Sequence, residues 1–212
     1  MPRSIDHQIG SAPAPNQRQN AKAKTRQAII KAAEQLFSKQ GIEETHAEEI
    51  ARRAKVGVGT IYLHFGDKNG LLREILLQAA DELYRRLQQV YERPPLPPAA
   101  PPIGQVETLV GYIEERGRLA AMVLGLLASG QQPAISLLDR FVEQMRQHIL
   151  DGQASQVYRR DIDASLAARA ALQMDLGLLA WWAADPRRAP RDELITTLAK
   201  IHSSGLAAPD AG

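Results

Sequence analysis

Apolar side chains recur along most of this chain with the period of an α-helix. Between Lys24 and Gly41, for example, Ile29, Ala33 and Phe37 follow one another at intervals of four residues and fall on one helical face. Gly41 is the type of residue that ends such a helix in a left-handed conformation. No segment alternates apolar and polar residues for long enough to predict a β-strand. The pattern predicts an all-α protein of about nine helices.

Two short helices are predicted next. Thr45 and Glu48 have the spacing of a capping box, which predicts that a helix starts at Thr45. A further short helix is predicted over residues 58–63, and Asp67 is the predicted cap of a long fourth helix. Two short helices joined by a tight turn bury little surface between themselves, so they need the first helix as a third wall. We therefore predict a trihelical helix-turn-helix unit over residues 24–70.

The remaining chain, residues 71–212, is predicted to form a second helical domain. It contains six prolines within residues 93–102, where no helix can continue. Helical patterns resume after this segment. The last two predicted helices are a long one that Asp163 caps and a final one over Arg191–Leu206.

Composition and charge narrow the functional classes. The 212 residues include no cysteine, which excludes disulfides, thiolate metal sites and thiol nucleophiles. No apolar run reaches the roughly 18 residues of a membrane helix, and we expect a cytoplasmic protein without membrane contact. Residues 1–70 carry 11 basic and 7 acidic side chains, whereas the rest of the chain is net negative. Residues 1–23, polar and without apolar period, are predicted to be a disordered basic arm, and this basic front end favours an anionic partner.

The segment from Thr45 to Lys68 resembles the DNA-binding signature of the tetracycline-repressor (TetR) family. It reads Thr-x4-Ile-Ala-x2-Ala-x-Val-Gly-Val-Gly-Thr-Ile-Tyr-Leu-His-Phe-x2-Lys. The resemblance is close over residues 24–72 and only general over residues 105–206, where Gln153–Pro186 is similar to the last two helices of the family. It implies a DNA-binding transcriptional regulator that acts as a homodimer on a palindromic double-stranded operator and is not an enzyme.

The resemblance also implies roles for single residues in DNA binding. Thr45 would contact a phosphate through its hydroxyl or a nearby amide. Tyr62 would reach the DNA backbone, with Thr60 beside a base or a phosphate, and His64 and Lys68 would hold a flanking phosphate. Packing is the alternative role for Tyr62 and His64, and simple solvation is the alternative for Lys68.

Three residues depart from the usual signature. Lys55 stands where glycine is usual in the turn, Gly57 where serine usually caps the recognition helix, and Val58 where Lys or Arg is frequent. Val58 is therefore expected to contact a thymine methyl group. The basic segment Arg18–Arg26 lies either along the adjacent minor groove or free in solvent. The predicted DNA-binding residues are Lys24, Thr45, Lys55, Gly57, Val58, Thr60, Tyr62, His64 and Lys68.

The second domain is expected to dimerise and to bind a small molecule. In the family, the last two helices of each subunit form a four-helix bundle. The residues expected at this dimer interface are Leu166, Ala170, Gly177, Leu178, Trp181, Ile195, Leu198 and Ile201. The residues expected to line a ligand pocket are Tyr112, Met122, Leu126, Phe141, Met145, His148, Met174 and Trp182. Met and aromatic residues at helical spacing are also typical of an ordinary core.

Asp175 is unusual because it is a carboxylate among leucine and methionine residues. We expect it at the rim of the dimer interface. The alternative is a buried pair with Arg118, Arg140 or Arg146 at a polar ligand site, because an unpaired buried charge is very unfavourable.

The sequence thus predicts a repressor that a hydrophobic or amphipathic small molecule releases from its operator. The alternative is a DNA-binding homodimer without an effector, which a filled interior would favour. Catalysis is not expected, since the five histidines show no metal-ligand spacing and no phosphate-binding loop of standard form is present. No cofactor and no metal are expected.

Overall fold

The computed structural model describes residues 15–92, 103–129 and 134–206. Within these ranges the chain is helical and contains no β-strand, so the predicted all-α class is confirmed. The nine helices are α1 (Pro15–Gln40), α2 (Ala47–Ala54), α3 (Val58–Phe65), α4 (Lys68–Tyr91), α5 (Ile103–Arg116), α6 (Arg118–Ala128), α7 (Ala134–Ala154), α8 (Ala164–Ala184) and α9 (Arg191–Leu206). A 3₁₀ turn, Pro186–Arg188, separates α8 from α9. The proline-rich segment 93–102 and residues 1–14 of the predicted arm lie outside the described residues.

The chain divides into two compact units at Leu71. In the first unit, α1 packs against α2 and α2 packs against α3. Ile29 of α1, Ile50 of α2 and Ile61 of α3 are all buried at the centre. The Arg26 guanidinium lies 5.1 Å from the centre of the Phe65 ring, a cation–π contact that joins α1 to α3. These three helices have the arrangement that a helix-turn-helix unit requires.

In the second unit, α8 packs against α6 and α7, and α9 packs against α5. The core between them consists mainly of leucine, isoleucine and valine. The Tyr112 hydroxyl donates to the carbonyl oxygen of Ala79 at 2.9 Å, which ties α5 to α4 inside this core. None of the described helices is both long enough and apolar enough to cross a membrane.

The first helix is longer than the sequence predicts. α1 begins at Pro15, so residues 15–23 are helical and not part of a disordered arm. Apolar periodicity reports which face of a helix is buried, and the side chains of residues 18–24 are all exposed. This segment is rich in Ala, Gln, Lys and Arg, which favour helix without any burial, and proline is well tolerated at the first helical position.

Two helix boundaries also differ. α2 begins at Ala47 with His46 at the N-cap position, and no side chain caps it, so the predicted Thr45–Glu48 capping box is wrong. α7 continues through Gly152 to Ala154, although Asp151-Gly152 is a dipeptide typical of a turn. The Tyr158 ring lies so close to Gly152 that a Cβ atom there would overlap it. Gly152 therefore serves close packing and not a turn.

Asp175 lies in the core, and the prediction that it lies at the dimer rim is wrong. Its side chain is fully buried. Oδ1 of Asp175 is 2.8 Å from Nε2 of His202, and Oδ2 accepts from Nε2 of Gln105 at 2.8 Å. None of the three arginines considered as partners is bonded to it. The carboxylate instead joins α8 to α9 and α5, and its hydrogen bonds compensate for its removal from water.

Candidate nucleic-acid interface

A tight turn connects α2 to α3. Lys55 adopts the left-handed conformation, with φ 58° and ψ 43°, at the position where the resemblance makes glycine usual. The backbone N–H of Val56 donates to the carbonyl oxygen of Ala51 at 3.0 Å, which closes the turn. Gly57 is the extended N-cap residue of α3, as predicted, and it is exposed. The Lys55 side chain is also exposed, so its charge remains available next to the start of α3.

α3 has one buried side and one open side. Ile61 is 1% exposed, whereas Tyr62 is 50% exposed and Leu63 is 82% exposed. Gly59 is also exposed, and a Cβ atom built there would have no neighbour within 4 Å. The outward side of α3 therefore presents the Leu63 side chain and the bare backbone of Gly59, with Tyr62 at its edge.

The remaining predicted residues of α3 are less open. Val58, Thr60 and His64 are half-buried. The predicted set omitted Gly59 and Leu63, although a sequence signal was present. Since Ile61 and Phe65 are apolar and one turn apart, a helix with these residues inward places Leu63 on the opposite face.

The Thr45 hydroxyl is not placed for the phosphate contact that the resemblance implies. Its side chain is fully buried, and its hydroxyl donates to the carbonyl oxygen of Gly41 at 2.6 Å. The backbone N–H of Thr45 is also engaged, since it donates to the carbonyl oxygen of Ile42 at 3.2 Å. The hydroxyl and the backbone N–H of Thr45 therefore stabilise the loop between α1 and α2.

Lys68, the first residue of α4, contacts the same loop. Its ammonium group donates to the carbonyl oxygens of Ile42 at 3.0 Å and of Thr45 at 3.5 Å. Gln40 holds the other side of this loop and donates to the Glu49 carboxylate at 2.8 Å. This hydrogen bond lowers the pKa of Glu49, so the carboxylate stays charged. Lys24, the remaining predicted residue, is exposed on α1.

Comparisons with known proteins agree with this geometry. A family model described as bacterial regulatory proteins of the tetR family matches residues 29–75, which span the C-terminal part of α1, all of α2 and α3, and the start of α4. The regulator UidR of Escherichia coli (strain K12) is 27% identical over 162 residues, which cover 74% of this chain and 80% of UidR. The chain belongs to the tetR family.

Solved structures share the fold over most of the chain. NalD of Pseudomonas aeruginosa, the secondary repressor of the MexAB-OprM multidrug efflux pump, is 26% identical with a TM-score of 0.60, over 91% of this chain and 100% of NalD. A complex of SmeT with triclosan is 19% identical with a TM-score of 0.62, over 88% of this chain and 93% of SmeT, and supports the fold alone. Like other tetR-family members, this protein is a DNA-binding transcriptional regulator of the helix-turn-helix type and not an enzyme.

The predicted dimer residues of this tetR-family regulator fall into two groups. Leu166 and Trp181 of α8 are 73% and 45% exposed, and Ile201 of α9 is 47% exposed. Ala170 and Gly177 are also exposed, and Leu178 is half-buried.

For the second group, the prediction of a place at the dimer interface is wrong. Ile195 and Leu198 of α9 are 6% and 0% exposed. They face the core of their own subunit, because α9 turns this side toward α5. The sequence pattern shows that α9 has an apolar face but not which neighbour covers it.

The predicted ligand residues divide into buried and half-buried positions. Tyr112, Phe141, Met145 and Trp182 are buried core residues. Met122, Leu126, His148 and Met174 are half-buried. Trp182 donates from Nε1 to the carbonyl oxygen of Ala189 at 3.0 Å and so fixes the end of α8.

Two surface grooves lie in the second unit. The α8–α9 groove, about 560 Å³, is lined by Leu166, Ala170, Met174, Ile201 and their neighbours. The α4–α7 groove, about 410 Å³, includes Tyr84, Tyr91, Gln144 and His148 in its lining. Met174 therefore lines one groove and His148 the other, and the other six predicted ligand residues line neither.

Tyr91 and His148 of the α4–α7 groove are uncharged near neutral pH. Burial lowers the pKa of His148 and raises the pKa of Tyr91 well above its usual value. The two rings lie 5.2 Å apart between their centres. Nε2 of His148 is also 3.1 Å from the Tyr158 hydroxyl, which fixes the orientation of the imidazole.

Proposed function

We propose that this tetR-family protein is a repressor that binds a palindromic operator as a homodimer and is released by a small amphipathic molecule. The observation that carries the proposal is the outward side of α3, with Tyr62 and Leu63 50% and 82% exposed beside the exposed Gly59. A helix of this size fits a major groove about 12 Å wide.

For the DNA contacts, we propose Tyr62, Lys55 and His64 as phosphate partners and Thr60 as a neighbour of the bases. Lys55 and Tyr62 are exposed at opposite ends of the turn and helix that would enter the groove. Lys24, on the exposed side of α1, is a further phosphate partner. Phosphate contacts of this kind position a protein on the duplex without reading its sequence.

For the dimer, we propose the exposed stripe of α8 formed by Leu166, Ala170, Gly177 and Trp181, together with Ile201 of α9. The spacing of these α8 residues places them on one side of the helix. A contiguous apolar surface of this kind is characteristic of an interaction site. The α8–α9 groove lies along part of this stripe.

For the effector, we propose the α4–α7 groove. Its volume of about 410 Å³ suits a small organic ligand. Tyr91 and His148 offer neutral aromatic surface, and Oε1 of Gln144 is buried without a hydrogen-bond partner among the described residues. An aromatic ligand with an O–H or N–H group would pack against the two rings and donate to Oε1 of Gln144.

The DNA part is tested with full-length protein and a random duplex library. Protein-bound duplexes are enriched and sequenced, and affinity for the enriched site is measured by fluorescence anisotropy at several salt concentrations. Lys55→Ala is expected to reduce the salt slope by about one per subunit. Lys200→Ala, which removes an exposed lysine of α9, is the matched control and should leave the slope unchanged. An unchanged slope for Lys55→Ala would contradict its phosphate contact.

The effector part is tested by measuring the same affinity in the presence of a panel of aromatic amphiphiles that starts with triclosan. An active compound is expected to lower DNA affinity at least about tenfold, within the usual range of coupling between sites. Gln88→Trp, at the lining of the α4–α7 groove, should abolish this response. Gln89→Trp, next to it on the exposed side of α4, should retain it.

The alternative function is a DNA-binding homodimer without an effector. It is favoured by the burial of Tyr112, Phe141, Met145 and Trp182 in the core. Compounds that bind the protein by calorimetry but leave DNA affinity unchanged would support this alternative and contradict the repressor-release proposal.

A further inference from the structure

Leu63 has the most exposed large apolar side chain of the described residues, at 82%. We propose that Leu63 is a specificity-determining residue that contacts the 5-methyl group of a thymine in the major groove. The inference rests on the proposed DNA-binding function and adds a base preference to it.

The geometry of α3 places Leu63 at the centre of the outward side. Residues on an α-helix advance by about 100° each, so Leu63 points about 200° away from Ile61. Ile61 is 1% exposed, which makes its direction the inward one. Gly59 precedes Leu63 by one turn on the same side and has open space around it. No side chain at residue 59 shields Leu63, and the backbone at Gly59 can approach a base edge closely.

The chemistry of the Leu63 side chain determines which base it favours. Leu63 offers neither a donor nor an acceptor, and covering the polar edge of guanine, adenine or cytosine would remove water from groups that it cannot bond. The thymine methyl is the apolar group that the four base pairs present in the major groove. A thymine opposite Leu63 is therefore favoured over the other bases.

Val58 was the residue expected from the sequence to make this contact. The structure favours Leu63 because Val58 is half-buried in the first turn of α3, whereas Leu63 is 82% exposed. Val58 and Leu63 point about 140° apart around the helix. The two residues therefore make different predictions and can be separated by mutation.

The test uses full-length protein and the duplex enriched from the random library. Each thymine of the site is replaced singly by deoxyuridine, which removes only the 5-methyl group, and affinity is measured by fluorescence anisotropy. Wild-type protein is expected to lose about fourfold at one thymine per half-site, the effect of removing one buried methyl group. In Leu63→Ala this loss should disappear, so that the thymine and deoxyuridine duplexes bind equally. Val58→Ala is the matched control and should keep the fourfold loss.

The outcomes distinguish the inference from the function beneath it. Wild-type binding with no sensitive thymine, or a sensitive thymine whose loss persists in Leu63→Ala, would overturn the role of Leu63 and leave DNA binding intact. A loss that disappears in Val58→Ala and persists in Leu63→Ala would assign the contact to Val58. Failure of the wild-type protein to enrich any sequence would overturn the proposed function and the inference together. Circular dichroism of Leu63→Ala should match the wild type, since the replaced side chain is exposed.

Discussion

Thr45 shows at the scale of one residue how the first unit is held together. Its buried hydroxyl donates to the carbonyl oxygen of Gly41 at 2.6 Å. Thr45→Val keeps the shape of the side chain and removes this donor. We expect the free energy of unfolding to fall by about 1–3 kcal/mol, because the buried acceptor loses its partner. Urea denaturation followed by circular dichroism measures this change.

Thr45→Ser is the control, since it retains the hydroxyl and should recover most of the lost stability. A phosphate contact makes the opposite prediction. In that case Thr45→Val would keep the stability of the wild type and weaken DNA binding with a smaller salt slope.

His148 gives the protein a pH-dependent contribution to stability. Burial lowers the pKa of His148 in the folded state, so the folded chain resists protonation at this site. The unfolded chain takes up the proton near the ordinary value of about 6.5. This contribution is therefore complete above about pH 6.5 and is lost as the pH falls toward the lower folded-state pKa.

We expect His148→Gln to make the free energy of unfolding less sensitive to acid between about pH 7 and about pH 5. Chemical denaturation over this pH range provides the measurement. Equal slopes for wild type and His148→Gln would contradict the prediction.

At the scale of single elements, the sequence predicted helix faces better than helix ends. Apolar spacing correctly placed Ile29 and Ile61 inside, and the caps Asp67 and Asp163 accept from backbone N–H groups of Gly70 and Leu166, at 2.6 and 2.8 Å. The start of α1 was not predicted because apolar periodicity reveals only a helix with a buried face, and residues 18–24 are all exposed. The predicted Thr45 cap was wrong because a hydroxyl can bond equally well to a loop carbonyl, and tertiary contacts decide which bond forms.

α3 offers a prediction in which stability and function change in opposite directions. Gly59 is exposed within this helix, and a Cβ atom there has no neighbour within 4 Å. Gly59→Ala should therefore raise the free energy of unfolding by about 0.5–1 kcal/mol, because alanine favours helix over glycine. The added methyl would stand between the α3 backbone and the DNA, so we expect affinity for the enriched duplex to fall. Denaturation and anisotropy measure the two effects, and unchanged affinity would contradict the close approach at Gly59.

The exposed stripe of α8 leads to a prediction about oligomeric state. Leu166 is 73% exposed on this stripe. Leu166→Glu would place a charge in an apolar interface, which is strongly unfavourable without a partner. We expect the variant to sediment as a monomer at concentrations where the wild type is a dimer. Ser165→Glu introduces the same charge at the neighbouring exposed residue, about 100° away around the helix, and should remain dimeric.

At the scale of the whole molecule, the long-range polar contacts were the part that the sequence could not supply. Asp175 meets His202 and Gln105 in the core, although these residues are 27 and 70 positions away from it in the sequence. Their residue types alone do not specify this meeting, because each is more common at a surface. The same limit explains Ile195 and Leu198, whose apolar character predicted burial but not whether the partner was the same subunit or another one.

Dimerisation and DNA binding should be linked in the complete regulator, and Leu166→Glu separates their contributions. In the dimer, binding of one α3 raises the effective concentration of the other at the second half-site, an effect commonly worth about 100-fold or more in affinity. The monomeric variant should therefore bind the full palindromic duplex about 100-fold more weakly than the wild type. Its affinity for a duplex with a single half-site should equal that of the wild type, because Leu166 belongs to α8 and lies outside the first unit. Anisotropy with both duplexes makes the comparison, with Ser165→Glu as the reference for added charge. Equal weakening on both duplexes would show that the substitution damages the DNA-binding unit itself, and no weakening on either would show that one subunit suffices for operator recognition.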